Sequence, residues 1–415
     1  LGTGSAYPSP HRGASGLILR NTASGVQWLF DCGEGTQIQV QKFPEAKISR
    51  VTRIFISHLH GDHVFGLPGF LATMGNRNAK GETRNISNHD SVDVEIYGPQ
   101  GLRRFLRLSL SLSWTLLNFK YAVHQLMFAC NQKLTEEKVN WASSDLHPEL
   151  EPILPYEVLG RDIYPDANGF WQNVFGPGTD CRPVDDEQSN LTVHAMPLKH
   201  SVPSVGWLLL EAPPPRRMLM KKVKELGVPV GPLLSKLKKG ETITFENFGG
   251  SITVSPDQVM GEVVRGRRIA ILGDSCDSSA LRELLYIVSP EDPTLDTLVH
   301  EATMHSSLEA SAYEKGHTTA AGAARFAASI GVRQLILSHF SQRYIPNTEA
   351  AESTKTRKVL ETRFIGAMKS SFHLVGRDIA DVRGHMSISR PLIKTVKPSS
   401  LLQSQPYHYQ YKNLF

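Results

Sequence analysis

The stretch Ser57-His-Leu-His-Gly-Asp-His63 constrains this 415-residue chain more than any other. It follows Val51-Thr-Arg-Ile-Phe-Ile-Ser57, a short apolar, β-branched run that predicts a buried strand. It precedes residues 64–74, which can open a helix once past Pro68. Three imidazoles and one carboxylate therefore crowd a single strand-to-helix turn, with Gly61 permitting a tight backbone. Imidazole nitrogen and carboxylate oxygen are ligands that suit zinc. Four such groups in six residues exceed what one tetrahedral ion needs from one loop, so the spacing points to two ions sharing a site. A lone histidine would read as an ordinary loop or core residue, and this cluster does not.

Similar endings recur along the chain. Val26-Gln-Trp-Leu-Phe30 predicts a strand that stops at Asp31, a carboxylate placed to hold metal ligands in position from behind. Leu191-Thr-Val-His-Ala-Met-Pro-Leu198 delivers His200, with His194 in mid-strand as a structural residue. Residues 266–274, 295–301 and 331–339 are short apolar runs ending on Asp274, Glu301 and His339. Chemistry gathered at strand ends is a product of α/β layers. The ligand candidates are His58, His60, Asp62, His63, His200, Asp274 and His339. Five imidazoles and two carboxylates match a zinc pair that activates water for hydrolysis. A phosphodiester suits that geometry, and so would an ester, thioester or lactam.

Composition bounds the rest. Apolar residues make up 40% and charged residues 20%, as in ordinary globular proteins, and no run approaches the ~18–20 apolar residues needed to cross a bilayer. Cys32, Cys130, Cys181 and Cys276 lie far apart without a C-x-x-C pair, which predicts free thiols in a reducing intracellular compartment, cytoplasm or nucleus. An organelle stays open, because a leading segment is expected before Leu1. Residues 131–190 carry twelve acidic and four basic side chains and predict an acidic surface insertion. Residues 215–241 carry eight Lys and Arg against two Glu. Arg217, Lys221 and Lys224 fall on one helical face, with Leu219, Val223 and Leu226 opposite, and Lys236, Lys238 and Lys239 extend the charge. Residues 318–330 predict an Ala-rich helix capped by Thr318 or Thr319 and stopped by Gly331.

Taken together, Phe30-Asp-Cys-Gly-Glu-Gly-Thr-Gln37, the histidine loop, Leu298-Val-His-Glu-Ala-Thr303, Gly316-His-Thr-Thr319 and Leu337-Ser-His-Phe-Ser-Gln-Arg-Tyr344 resemble the motifs of tRNase Z, in its short form, within the metallo-β-lactamase superfamily. The resemblance runs from residue 1 to about residue 345. It implies an αβ/βα four-layer sandwich over 1–364, a flexible tRNA-binding arm over 213–241 and a partly disordered extension over 365–415. It implies an endonuclease that removes 3′ trailers from precursor tRNA, leaving a 3′-hydroxyl on the tRNA and a 5′-phosphate on the trailer. His58, His60 and His200 would hold one zinc, Asp62, His63 and His339 the other, and Asp274 would bridge them. His317 paired with Glu301 would donate a proton to the leaving group, with Asp62 counted beside them as catalytic. The RNA would be gripped by Arg217, Lys221, Lys224, Lys236, Lys238 and Lys239, and the chain would pair as a homodimer. Pro8-Ser-Pro-His-Arg-Gly13 departs from the Pro-x-Lys-x-Arg-Asn loop common in the family.

Overall fold

A computed structural model describes residues 1–22, 24–78, 92–128, 153–176, 190–247, 249–344 and 372–375. The first strands are β1 (Leu17–Asn21), β2 (Gln27–Phe30), β3 (Val51–Phe55), β4 (Val94–Pro99), β5 (Tyr121–Leu126), β6 (Glu157–Val158) and β7 (Asp162–Ile163). Then come β8 (Trp171–Phe175), β9 (Leu191–Leu198), β10 (Ser204–Glu211), β11 (Ile243–Asn247) and β12 (Gly250–Val254). The last are β13 (Arg268–Leu272), β14 (Thr297–Glu301), β15 (Gln334–Ser338) and β16 (Phe372–Val375). Between them lie α1 (Thr36–Gln39), α2 (Gly61–Val64), α3 (Leu67–Asn78), α4 (Leu102–Leu112) and α5 (Met220–Glu225). The remaining helices are α6 (Pro232–Lys238), α7 (Pro256–Val259), α8 (Ser279–Val288), α9 (Glu309–Glu314) and α10 (Ala320–Ser329).

The first sheet has the order β16-β1-β2-β3-β4-β5-β6, with β7 also on β5. Strands β2 to β5 are mutually parallel, and β1 is antiparallel to both its neighbours. The second sheet has the order β15-β14-β13-β10-β9-β8, parallel across β13–β15 and antiparallel from there to β8. Successive side chains of a strand point to opposite faces, and here both faces are apolar. Trp28, Phe30, Phe55 and Tyr97 of the first sheet meet Val205, Trp207, Ile269 and Ile271 of the second in a core between the sheets. Their alternating neighbours Leu29, Ile54 and Ile96 pack outward on Phe70 and Leu71 of α3 and Leu106 of α4. On the far side Leu208, Ala270 and Leu298 pack on Leu281 and Leu285 of α8 and Ala327 of α10. The layering is αβ/βα.

The two halves are bonded directly to each other beside the histidine loop. Val205 N donates to Ser57 O at 3.0 Å, and a Cβ on Gly273 would stand 2.6 Å from Ser57 Cβ. Gly273 is therefore required by this approach, and it immediately precedes Asp274.

Three expectations change. Residues 153–176 belong to the sheets instead of a surface insertion: β6 and β7 extend the first, and β8 closes the second with Trp171 fully buried. An acidic average over sixty residues concealed this short apolar strand, while 131–152 and 177–189 lie outside the described residues. The basic segment does not end at 241. Helices α5 and α6 are too short to persist alone, and they share a core with the β11–β12 hairpin and α7, built on Val223, Leu237, Ile243, Phe245, Val254 and Val259. The unit closes where Gly261 N donates to Arg217 O at 2.8 Å. Arg217 consequently lies before α5, in an extended stretch where Met218 bridges Met260, and Leu219 is 36% exposed instead of facing the core. Finally, within 365–415, β16 pairs with β1, matching Ile18 to Val375, and the rest of that segment lies outside the described residues.

Candidate active site

Strand C-termini from both sheets converge on one edge. Asp31 follows β2, His58 and His60 follow β3, and α2 carries Asp62 and His63. His200 follows β9, Asp274 follows β13, Glu301 ends β14 and His339 follows β15. Two of these turns are tight. Asp31 has φ 56° and His339 φ 58°, left-handed values that cost an L-residue about 1–2 kcal/mol. They are held by Asp31 N donating to Phe55 O at 2.8 Å and by Phe340 N donating to Thr3 O at 2.7 Å.

The side chains meet in two triads. His58 Nε2 lies 3.1 Å from His60 Nδ1, which is 3.2 Å from His200 Nε2. In the second triad His63 Nε2 lies 3.2 Å from His339 Nε2, and Asp62 Oδ2 is 3.2 Å from the same His339 nitrogen. Asp274 faces both: its Oδ2 is 3.2 Å from His339 and 3.7 Å from His58, and its Oδ1 is 3.5 Å from His63. All seven predicted ligand residues are thus brought together, and each triad's donor atoms lie within 4.8 Å of one another.

The outward nitrogens explain what the inward ones carry. The Gly316 carbonyl can only accept, so His200 Nδ1 donates to it at 2.7 Å. His63 Nδ1 donates to Asp31 Oδ2 at 2.8 Å. Ser57 Oγ donates to that carboxylate at 2.9 Å and so accepts from His58 Nδ1 at 3.0 Å. Thr303 Oγ1 donates to Glu301 Oε2 and so accepts from His339 Nδ1 at 2.8 Å. In their neutral form these four imidazoles turn unprotonated Nε2 atoms inward. Lone pairs facing one another at this range repel unless a cation lies between them. Nitrogens held ~2.0–2.1 Å from a tetrahedral zinc stand about 3.3 Å apart, close to the spacings seen, so the residues fit that metal. The supporting role of Asp31 was expected. Those of Ser57, Thr303 and Gly316 were not, although Ser57 adjoins His58 and Thr303 lies two residues after Glu301.

Burial, together with the neighbouring imidazoles, holds His58, His60 and His200 below the usual histidine range despite Asp274. Burial opposes a charge on His63 too, but there the Asp274 and Asp31 carboxylates outweigh it and raise the pKa. Asp62 is buried, yet the His339 hydrogen bond and the His63 charge bring it down to about 2. Asp274 is likewise held well below the carboxylate range, by His339 and His63 against its burial. The cage keeps metal-ready protonation states on Asp62, on Asp274 and on the first triad's imidazoles.

Beside the cage, His317 Nδ1 is 3.1 Å from Glu301 Oε1 and 3.8 Å from Asp274 Oδ2. Burial disfavours its charge, but the Glu301 hydrogen bond and charge prevail and raise the pKa. His317 precedes α10, whose cap is Thr319, its side chain accepting from Gly322 N at 3.1 Å. On the arm, Arg217, Lys221, Lys224, Lys236, Lys238 and Lys239 are all exposed. Of these six, only Lys221 approaches an acid among the described residues, Glu225 at 4.0 Å.

Comparison with known proteins agrees with this geometry. The family described as anti-Pycsar protein Apyc1 matches residues 1–97, a stretch holding the histidine loop but not His200, Asp274, Glu301, His317 or His339. Zinc phosphodiesterase ELAC protein 1 of Homo sapiens is 41% identical over 356 residues, spanning 85% of this chain and 88% of that protein. Ribonuclease Z of Brevibacillus brevis is 35% identical over 344 residues, spanning 83% and 85%. The crystal structure of human tRNase Z, short form (ELAC1), superposes with a TM-score of 0.52 at 33% identity, covering 83% of this chain and 92% of that one. Likeness of that degree along most of both chains, on the metallo-β-lactamase αβ/βα sandwich, makes this chain a member of the ELAC1/ribonuclease Z (tRNase Z) family.

Proposed function

We propose that the chain is a zinc-dependent endoribonuclease that removes 3′ trailers from precursor tRNA, leaving a 3′-hydroxyl on the tRNA and a 5′-phosphate on the trailer. The observation that carries this reading is the two-triad cage with the His317–Glu301 pair beside it, in a chain that also bears an exposed cationic arm. His58, His60 and His200 would hold one zinc, Asp62, His63 and His339 a second, with Asp274 facing both triads. Zinc bound there supplies Lewis-acid stabilisation of phosphate charge and lowers the pKa of bound water.

The chain's own groups supply the rest. His317 keeps Nδ1 on Glu301, leaving its Nε2–H as the donor to the departing 3′-oxygen. Because Glu301 raises the imidazole pKa, His317 is protonated over more of the neutral range. The arm binds RNA backbone away from the cut, through Arg217, Lys221, Lys224, Lys236, Lys238 and Lys239. A small phosphodiester needs no such remote clamp, which favours a large polyanion as substrate.

The chain works as a two-fold homodimer, the commonest closed assembly, inside a reducing compartment, cytoplasm or nucleus. Supporting the latter, Cys32 and Cys276 are free thiols. No helix of the described residues is long and apolar enough to cross a membrane. Incubation with a 3′-extended tRNA, with the cut mapped to the nucleotide, tests the reading. A cut at the base of the trailer with a 3′-hydroxyl on the tRNA is expected, and an intact substrate in the presence of zinc would refute it.

A further inference from the structure

The first residues of the chain fold over the rim of the cage. Ser5 N donates to Phe340 O at 2.9 Å, and Ala6 N donates to Asp62 Oδ2 at 2.6 Å. Gln342 is committed to the same loop: its Nε2 donates to Tyr7 O at 2.6 Å, and its Oε1 accepts from Ser9 Oγ at 2.7 Å. Ala6 has φ 70°, a left-handed conformation that local preference would not select. The contacts to Asp62, Phe340 and Gln342 impose it, and backbone strain held in this way clusters at functional sites. The side chain that this turn presents is Tyr7, 60% exposed, its hydroxyl without a hydrogen-bond partner among the described residues. A fixed backbone thus keeps an aromatic face in water, one residue from the N–H that binds Asp62.

We infer that Tyr7 is a stacking platform for a nucleobase beside the scissile phosphate, and so a specificity-determining residue for RNA. The inference rests on the reading of the cage as a precursor-tRNA nuclease. Single-stranded RNA is recognised chiefly by splaying bases onto aromatic side chains. Stacking tolerates any sequence because every base has a π-face, which suits an enzyme that meets different nucleotides at its cut. Holding Tyr7 through backbone bonds also leaves the ring free to meet a base without first breaking a side-chain contact.

The test compares kcat/KM for a 3′-extended tRNA and for bis(p-nitrophenyl) phosphate in wild type, Tyr7→Ala and Tyr7→Trp, all loaded with zinc. The ratio of the RNA value to the small-diester value should fall about 5–150-fold in Tyr7→Ala, which corresponds to the ~1–3 kcal/mol of one stacked base. Tyr7→Trp should restore it. An RNA abasic at the nucleotide on either side of the cut should reproduce the loss in wild type at one of the two positions, with no further loss in Tyr7→Ala. An unchanged ratio, an equal loss on both substrates, or additive losses from the abasic site and the substitution would each overturn the assignment while leaving the nuclease reading intact. Wild type that hydrolyses the diester but leaves the RNA uncut would overturn both.

Discussion

Glu301 Oε1 accepts two protons that face different tasks: one from His317 Nδ1 at 3.1 Å and one from the Ser275 backbone N–H at 2.7 Å. The backbone bond fixes the carboxylate, and the carboxylate then fixes the tautomer and direction of the imidazole. His317→Ala should retain zinc and RNA binding but slow single-turnover cleavage by ~10²–10⁴-fold, as expected for loss of a general acid. Glu301→Gln should show a smaller loss of the same kind. Single-turnover rates equal to wild type in His317→Ala would assign the acid elsewhere.

Thr303 joins that pair to the cage, since its one hydroxyl donates to Glu301 and accepts from His339. Thr303→Val keeps the shape but leaves the buried His339 Nδ1–H unpaired and Glu301 Oε2 with only the long 3.4 Å bond from the residue 303 backbone N–H, at about 1–3 kcal/mol. Zinc retention, read by competition with a chromogenic chelator, should weaken ~10–100-fold, the usual effect of removing a group that orients a ligand. Thr303→Ser should behave as wild type. Equal chelator competition by the valine variant would show that His339 needs no such partner.

Elemental analysis should find about two zinc ions per chain. Chelation should abolish cleavage and lower the melting temperature, because ions bound only by the fold stabilise it by RT ln(1 + [Zn]/Kd), ~2.7 kcal/mol at a hundredfold excess over Kd. His60→Ala should fold and lose activity. Full cleavage by chelator-treated protein would remove zinc from the mechanism.

His194 offers a pH test apart from the cage. It is buried in β9, and desolvation lowers its pKa to about 4, while Asn173 N donates to its Nδ1 at 3.3 Å. A histidine held neutral in the fold takes up a proton on unfolding below about pH 6.5. Stability should therefore be fully present above that pH and fall as pH drops toward 4. The slope should approach ~1.4 kcal/mol per pH unit for one proton. In urea titrations of the zinc-saturated protein, His194→Gln should remove that share of the slope. Parallel pH profiles for the two proteins would mean that His194 is solvated or protonated in the fold.

Much of the site was legible because His200, Asp274, Glu301 and His339 end apolar runs, and the four ligands of the histidine loop crowd the turn after another. A run of alternating or continuous apolar residues declares a strand, and its end declares where chemistry can gather. The rest was hidden for physical reasons. Ser57 and Thr303 act through hydroxyls whose roles depend on which neighbours the fold supplies, and the Gly316 carbonyl carries no side-chain signature at all. Residues 171–175 were masked by the acids around them. The arm looked like two helices because helical spacing is a local property. Its core is not local: Ile243, Phe245 and Val254 lie beyond the basic run and complete the apolar face of α5 and α6.

That closure sets the boundaries for separating the arm from the cage. Arg216 pairs with Asp257 and donates to Gly261 O at 2.7 Å, so a cut at 240 would strand half of the small core. Replacing residues 215–262 by a Gly/Ser linker removes the unit whole. It leaves Glu211 paired with Arg267 at the mouth of the second sheet. All seven cage residues, His317 and Glu301 lie outside the excised stretch, so hydrolysis of a small chromogenic phosphodiester should persist. Cleavage of precursor tRNA should weaken mainly through a raised KM, because remote cationic groups bind substrate and transition state alike. RNA binding should also lose salt dependence, its log–log slope flattening by about 0.7–0.9 for each phosphate that the arm no longer neutralises. A folded variant with unchanged KM and slope would make the arm a solvated surface element. Loss of the small-substrate activity as well would make it a support of the sandwich.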